Sequence, residues 1–135
     1  MQKGQKIIQG NTHIDSRGTV RFINDFDMNK VVRMYAITPE LGIIRAWQGH
    51  QVETKWFFVA KGSFTVKTVA LGNFDEVNTY TMNENESEVL QIPGGHYNGF
   101  EATEKGSVLM IFSDANLEAS KADDIRQTLE FLPWN

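Results

Sequence analysis

Eight short β-type runs follow one another along this chain at nearly even spacing, each closed by turn residues. They are "GTVRFIND" (18–25), "KVVRMYAI" (30–37), "GIIRAWQ" (42–48), "TKWFFVAKG" (54–62), "SFTVKTVAL" (63–71), "EVNTYTM" (76–82), "SEVLQIP" (87–93) and "GSVLMIFSD" (106–114). Most alternate apolar with polar residues, as at Val20 and Phe22 or Phe64 and Val66. That is the period of a strand with one buried face. Eight or more such strands read as a sandwich or barrel, and a jelly roll is the common closed solution at this length. "SVLMIF" is continuously apolar, which places it in the middle of a sheet. Helical propensity is confined to "LEASKADDIRQTLEF" (117–131) and predicts no more than a turn or two. The expected architecture is all-β, one jelly-roll domain over 1–135, with little helix.

Composition narrows the function. A chain of 135 residues can bury a core without a disulfide or a structural metal. A net charge of -4 with no basic cluster argues against a nucleic-acid binder, although a local pocket of Arg or Lys can still take an anion. The absence of cysteine removes disulfides, thiolate metal sites and cysteine nucleophiles. "MQKGQKIIQGNTHID" lacks the apolar core of a signal peptide, and no apolar run approaches membrane-spanning length. The expected location is the cytoplasm, with no membrane partner. There is no G-x-S-x-G elbow, P-loop or G-x-G-x-x-G.

One spacing carries chemistry. From Gly42 through Gln48, His50 and Lys55 to Gly62 the chain resembles the first cupin metal motif, G-x5-H-x-H-x3–4-E-x6-G. Pro93, Gly95 and Asn98 in "IPGGHYNGF" fit the second, which contains P-x-G-x2-H. The scaffold glycines and proline are present, but of the ligand positions only His50 keeps its residue. One imidazole does not hold a divalent first-row ion, and amide oxygens are poor replacements. Lys55 sets an ammonium where the metal's charge would lie. The expectation is therefore a site with no metal and no cofactor, whose fixed cation stabilises negative charge on an organic ligand. Strand alternation puts Arg45, Trp47 and Gly49 on one face and Gln48 and His50 on the other, so Arg45 joins His50 in one cavity only if a bulge intervenes or the strand end twists.

The same residues resemble the nucleotide-sugar (RmlC-like) cupins. These are the dTDP-4-dehydrorhamnose 3,5-epimerases and the dTDP-4-keto-6-deoxyhexose 3,4-ketoisomerases (WxcM-like proteins). "DSRGTVRFI" (15–23) resembles the D-x-R-G stretch that opens both families. Arg45 to Ser63 resembles the ketoisomerase pattern R-G-x-H-A-H-K-x3-Q-x-L-x4-G-S, and "IPGGHYNGF" the epimerase pattern I-P-x-G-F-A-H-G-F. "DDIRQTLEF" (123–131) resembles the ketoisomerase tail. The resemblance implies a cupin barrel and metal-free proton transfer next to the keto group of a dTDP-linked sugar. It makes His50 the candidate base and Lys55 a candidate electrostatic catalyst. Arg45, Gln48, Tyr97, Asn98, Arg17 and Tyr35 become candidate substrate contacts. It also implies a homodimer that pairs or exchanges edge strands. Gln48 and Asn98 depart from the families, since an amide exchanges no proton near neutral pH.

Each residue has a plainer reading. His13 and His96 read as loop or turn residues. Lys55 is equally a strand-end lysine whose stem covers the barrel rim. Arg17 pairs with Asp15 across a turn, and Trp47, Trp56, Phe57 and Phe58 are core. "ADD" (122–124) reads as a helix N-terminus with no catalytic part. Two further functions therefore stand beside the isomerase: an inactive binder of a sugar nucleotide or small anion, and a jelly-roll module for protein assembly.

Overall fold

The computed structural model describes residues 4–135, so only residues 1–3 of the expected 1–135 unit lie outside it. Among the described residues the chain runs β1 (Lys6–Gln9), β2 (Asn11–Asp15), β3 (Gly18–Phe22), β4 (Arg33–Ile37), β5 (Ile44–His50) and β6 (Lys55–Lys61). It continues with β7 (Ser63–Ala70), β8 (Asn73–Asn83), β9 (Glu88–Ile92), β10 (His96–Ala102), β11 (Val108–Ser113), helix α1 (Leu117–Ala122) and β12 (Ile125–Arg126). One five-stranded sheet has the order β1-β9-β6-β11-β4 and the other β12-β5-β10-β7-β8, while β2 and β3 form a separate hairpin. Every ladder is antiparallel. The architecture is the all-β cupin barrel that the strand spacing predicts. The apolar run of β11 is hydrogen-bonded on both sides, to β4 and β6.

Inward-facing apolar residues alternate along the strands and meet in one cluster. Phe57 and Val59 of β6, Phe64 and Val66 of β7, Met82 of β8 and Leu90 of β9 all belong to it. In "KWFFVA" the aromatic side chains between them turn outward and are covered. Phe26 packs on Trp56 at 5.9 Å between ring centroids, and the Arg21 guanidinium lies 4.8 Å from the Phe58 ring centroid. The opposite sheet has its own outer cluster of Trp47, Val69, Tyr97 and Trp134. It is closed by the C-terminal segment, where Trp47 Nε1 donates to the Leu132 carbonyl at 2.7 Å.

The glycines of the motif frame serve the turns. Gly42, Gly62 and Gly95 take φ of 80°, 76° and 88°, the left-handed region that a Cβ disfavours. At Gly62 a Cβ would also stand 2.0 Å from Ser107 Oγ. No helix among the described residues is long and apolar enough to cross a membrane.

Candidate active site

A cavity of about 600 Å³ opens between the β4–β11 side of the barrel, β5, β10 and the segment α1–β12. Ladder register explains how β5 serves it. Asn98 pairs with Gln48, yet Phe100 pairs with Arg45, so β5 holds one more residue than β10 between these pairs. The extra residue shifts the phase of alternation. Arg45 and Gln48 consequently both line the cavity, while the Trp47 side chain packs in the outer cluster.

Lys55 begins β6 and is only 3% exposed. Its Nζ donates to Gln48 Oε1 at 3.0 Å, and Gln48 Nε2 donates to Asp124 Oδ1 at 3.2 Å. Asp124 Oδ2 in turn accepts Arg126 Nε at 3.0 Å. One amide thus separates an ammonium from a carboxylate on the cavity wall. Burial pushes the Lys55 amine down to about 8, against an upward pull from Glu53. Asn98, 4% exposed, brings its amide to the same cavity. Tyr35 lines it too, with the Arg33 guanidinium 4.9 Å from its ring centroid, and burial raises its phenol. Arg33, Arg45, Lys55, Lys121 and Arg126 face Asp124 alone, a surplus of four positive charges in the lining of a chain whose net charge is -4.

The wall formed by α1 and β12 is fixed by its caps. Asn116 caps α1 by accepting the Ala119 N–H at 2.8 Å. Asp123 ends the helix and its carboxylate accepts the N–H groups of Gln51, Val52 and Glu53 at 2.8, 2.9 and 3.0 Å. Burial pulls Asp123 upward, but these three donors outweigh it and hold the carboxyl below its ordinary value.

The other candidate residues lie elsewhere. His50 shares the inward face of β5 with Gln48 but does not line the cavity; it is 2% exposed and its Nδ1 hydrogen-bonds the Asp123 carbonyl oxygen at 2.9 Å. Its Nε2 is buried without a hydrogen-bond partner among the described residues. Burial first, and then the Lys55 charge, lower its pKa, against an upward pull from Glu53 and Asp123. Behind it Glu53 accepts Ser113 Oγ at 2.6 Å and pairs with Arg33 at 3.4 Å. Tyr97 packs on the outer side of the sheet, as a neighbour of inward Asn98 must. Arg17 lies at the β2–β3 turn, with its side chain 85% exposed and 2.6 Å from Asp15. His13 belongs to β2 and meets Asp15 at 3.1 Å; buried His96 bonds the Pro93 carbonyl at 3.0 Å. Among the described residues no three His, Cys, Asp or Glu side chains gather as a metal site. Lys121, Asp124, Arg126 and Arg33 are the residues that sequence reasoning missed. The tail "DDIRQTLEF" was the available signal for two of them.

The fold is shared with solved structures of an RmlC epimerase and of 3,4-ketoisomerases. No protein-family model matches the sequence, and no curated protein matches it. Among solved structures the chain is similar to dTDP-4-dehydrorhamnose 3,5-epimerase from Sulfolobus tokodaii, with 20% identity, TM-score 0.80, and coverage of 99% of this chain and 82% of that one. It is similar to the TDP-quinovose 3,4-ketoisomerase WlaRB from Campylobacter jejuni, with 20% identity, TM-score 0.74 and coverage of 96% and 98%. A third is a mutant of the 3,4-ketoisomerase QdtA from Thermoanaerobacterium thermosaccharolyticum in complex with TDP-4-keto-6-deoxyglucose, with 20% identity, TM-score 0.76 and coverage of 97% and 92%.

Proposed function

We propose that this protein is a nucleotide-sugar isomerase or epimerase that moves a proton next to the keto group of a dTDP-linked 4-keto-6-deoxyhexose, with no metal. The observation that carries the reading is the cationic cavity with a buried amine on its wall. Arg45, Lys121 and Arg126 are exposed cations suited to a diphosphate. Gln48 and Asn98 offer amides to sugar hydroxyls, and Tyr35 offers a phenol. Lys55 meets the carbonyl and stabilises the charge that develops on it when the adjacent C–H proton leaves. Asp124, across Gln48 from Lys55, is the carboxylate that takes this proton.

A second base is favoured by one observation. With Nδ1 tied to the Asp123 carbonyl, His50 keeps an unshared Nε2 lone pair inside the barrel. It does not line the cavity, so it reaches a ligand only if the wall rearranges. Incubation with dTDP-4-keto-6-deoxyglucose in deuterated water tests the function: deuterium enters at C3 of recovered ligand or of a product epimerised there, and at C4 of a product whose keto group has moved to C3. Asp124→Asn removes the exchange if Asp124 is the base, and His50→Asn removes it if His50 is. Ligand binding without exchange in the unmodified protein would leave the inactive-binder reading, and no thermal shift with dTDP would leave the assembly module.

The proposed protein acts as a cytoplasmic homodimer. Among the described residues the β2–β3 hairpin pairs with no further strand, and Ile14 and Val20 on it are 72% and 57% exposed. Arg21 and Thr12 tie the hairpin to the barrel, which leaves these apolar side chains for a second copy to cover. Arg17, at the hairpin turn and outside the cavity of its own chain, would contribute to phosphate binding only across such a dimer.

A further inference from the structure

Lys55 is buried, and its position lacks the partner that a buried ammonium ordinarily needs. None of the ion pairs among the described residues includes it. Two carboxylates stand near, and both are held away. Asp124 is kept apart by the intervening Gln48 amide and is bonded to Arg126. Glu53 gives Oε2 to Ser113 and Arg33, and its Oε1 faces His50 Nδ1 at 3.5 Å; neither oxygen forms an ion pair with Lys55. What remains is one hydrogen bond to a neutral amide and an amine facing a cavity whose other lining includes Ile37, Phe100 and Ile111. An amine that served only as a fixed positive charge would gain from a carboxylate at contact distance. An amine that must be neutral part of the time, with its lone pair free, would not.

We propose that Lys55 acts covalently: its Nζ condenses reversibly with the keto carbon of the bound ligand to form an imine. The inference rests on the keto-sugar reading of the site. In the step the nitrogen lone pair forms the C–N bond, and the carbonyl oxygen leaves as one water carrying both amine protons. No oxidation or reduction accompanies it. Protonation of the imine nitrogen then gives an iminium, a stronger electron sink for the adjacent C–H bond than a carbonyl oxygen beside an ammonium. Tyr35 lines the same cavity with a phenol that stays protonated, a donor for the departing oxygen. Because burial holds the amine near 8, a substantial fraction is unprotonated at mildly alkaline pH.

The test treats the full chain with dTDP-4-keto-6-deoxyglucose and sodium cyanoborohydride and reads intact mass, followed by peptide mapping. The expected result is a stable adduct of the ligand's mass less one oxygen, on Lys55 alone, forming faster from pH 7 to pH 9. Lys55→Arg, which keeps the positive charge but has no amine able to condense, should form no adduct and lose deuterium exchange at C3. Should that variant not fold, the peptide map of the unmodified protein decides by itself. Exchange at C3 without any adduct overturns the imine and leaves the isomerase reading standing. Adducts spread evenly over several lysines, or exchange retained by a folded Lys55→Arg, also overturn it. Failure of the ligand to bind removes both readings together.

Discussion

The barrel interior has two regions built on the same strands. In one, Phe57, Phe64, Val66 and Leu90 are buried with no exposed surface and pack only on each other and their neighbours. In the other, Gln48, Lys55 and Asn98 point inward and leave an open cavity. β10 belongs to both: Phe100 and Ala102 enter the apolar cluster, and Asn98, two residues earlier on the same face, enters the cavity. β6 does likewise, with Lys55 two residues before Phe57. β6 and β10 run through both regions as continuous strands, so along these two the contrast is written in side chains, and only β5 adds a bulge on the cavity side. The apolar region is stabilised by leaving water, whereas the polar region is stable despite a buried amine.

Perturbing the two regions should therefore have opposite signs. The largest expected effect is on the apolar side: Phe64→Ala should destabilise the protein by about 3–5 kcal/mol through lost transfer energy and a residual cavity. Urea unfolding measures it, and a loss below 1 kcal/mol would show that the cluster does not carry the fold. Lys55→Met should act the other way. An amine at about 8 in the fold and 10.5 unfolded binds fewer protons folded than unfolded between those values, so stability rises with pH across that window. Replacing it should stabilise the protein below pH 8 by up to about 3 kcal/mol, and the gain should fade as pH rises to 10.5. Equal pH slopes for the two proteins would contradict a buried, desolvated amine. The smallest effect belongs to the rim. Arg45→Ala should weaken dTDP binding by about tenfold with little change in unfolding, and the loss should shrink in high salt. Isothermal titration at two salt concentrations checks it; a salt-independent loss would mean that Arg45 positions the strand instead.

What could be read from the sequence follows this division. The strands of the apolar region announce themselves by alternation, and each of the eight runs contains or overlaps an observed strand. β10 did not: in "HYNGFEA" polar residues fall on the inward face, so hydrophobic period carries no signal where the strand serves the cavity. The turn or two of helix expected within 117–131 is α1, which ends at Ala122 where Asp123 leaves it to bond the Gln51, Val52 and Glu53 N–H groups, and β12 follows by pairing with β5. Gln48, Lys55 and Asn98 were locatable because turn glycines fix their distances along the chain. That Arg45 faces the cavity depends on a bulge, which alternation alone does not reveal. Asp124, Arg126 and Lys121 reach it from a segment more than sixty residues from Lys55 in sequence, a placement set by tertiary contacts.

The Asp123 carboxylate has a mechanical consequence. It grips the backbone at 51–53 immediately ahead of Lys55, while its own segment carries Lys121, Asp124 and Arg126 on the opposing wall. An anion bound at that wall would therefore pull, through three short N–H bonds, on the strand root that aims the amine. Occupancy at the outer cations and the attitude of the inner nitrogen are geared together by a single side chain.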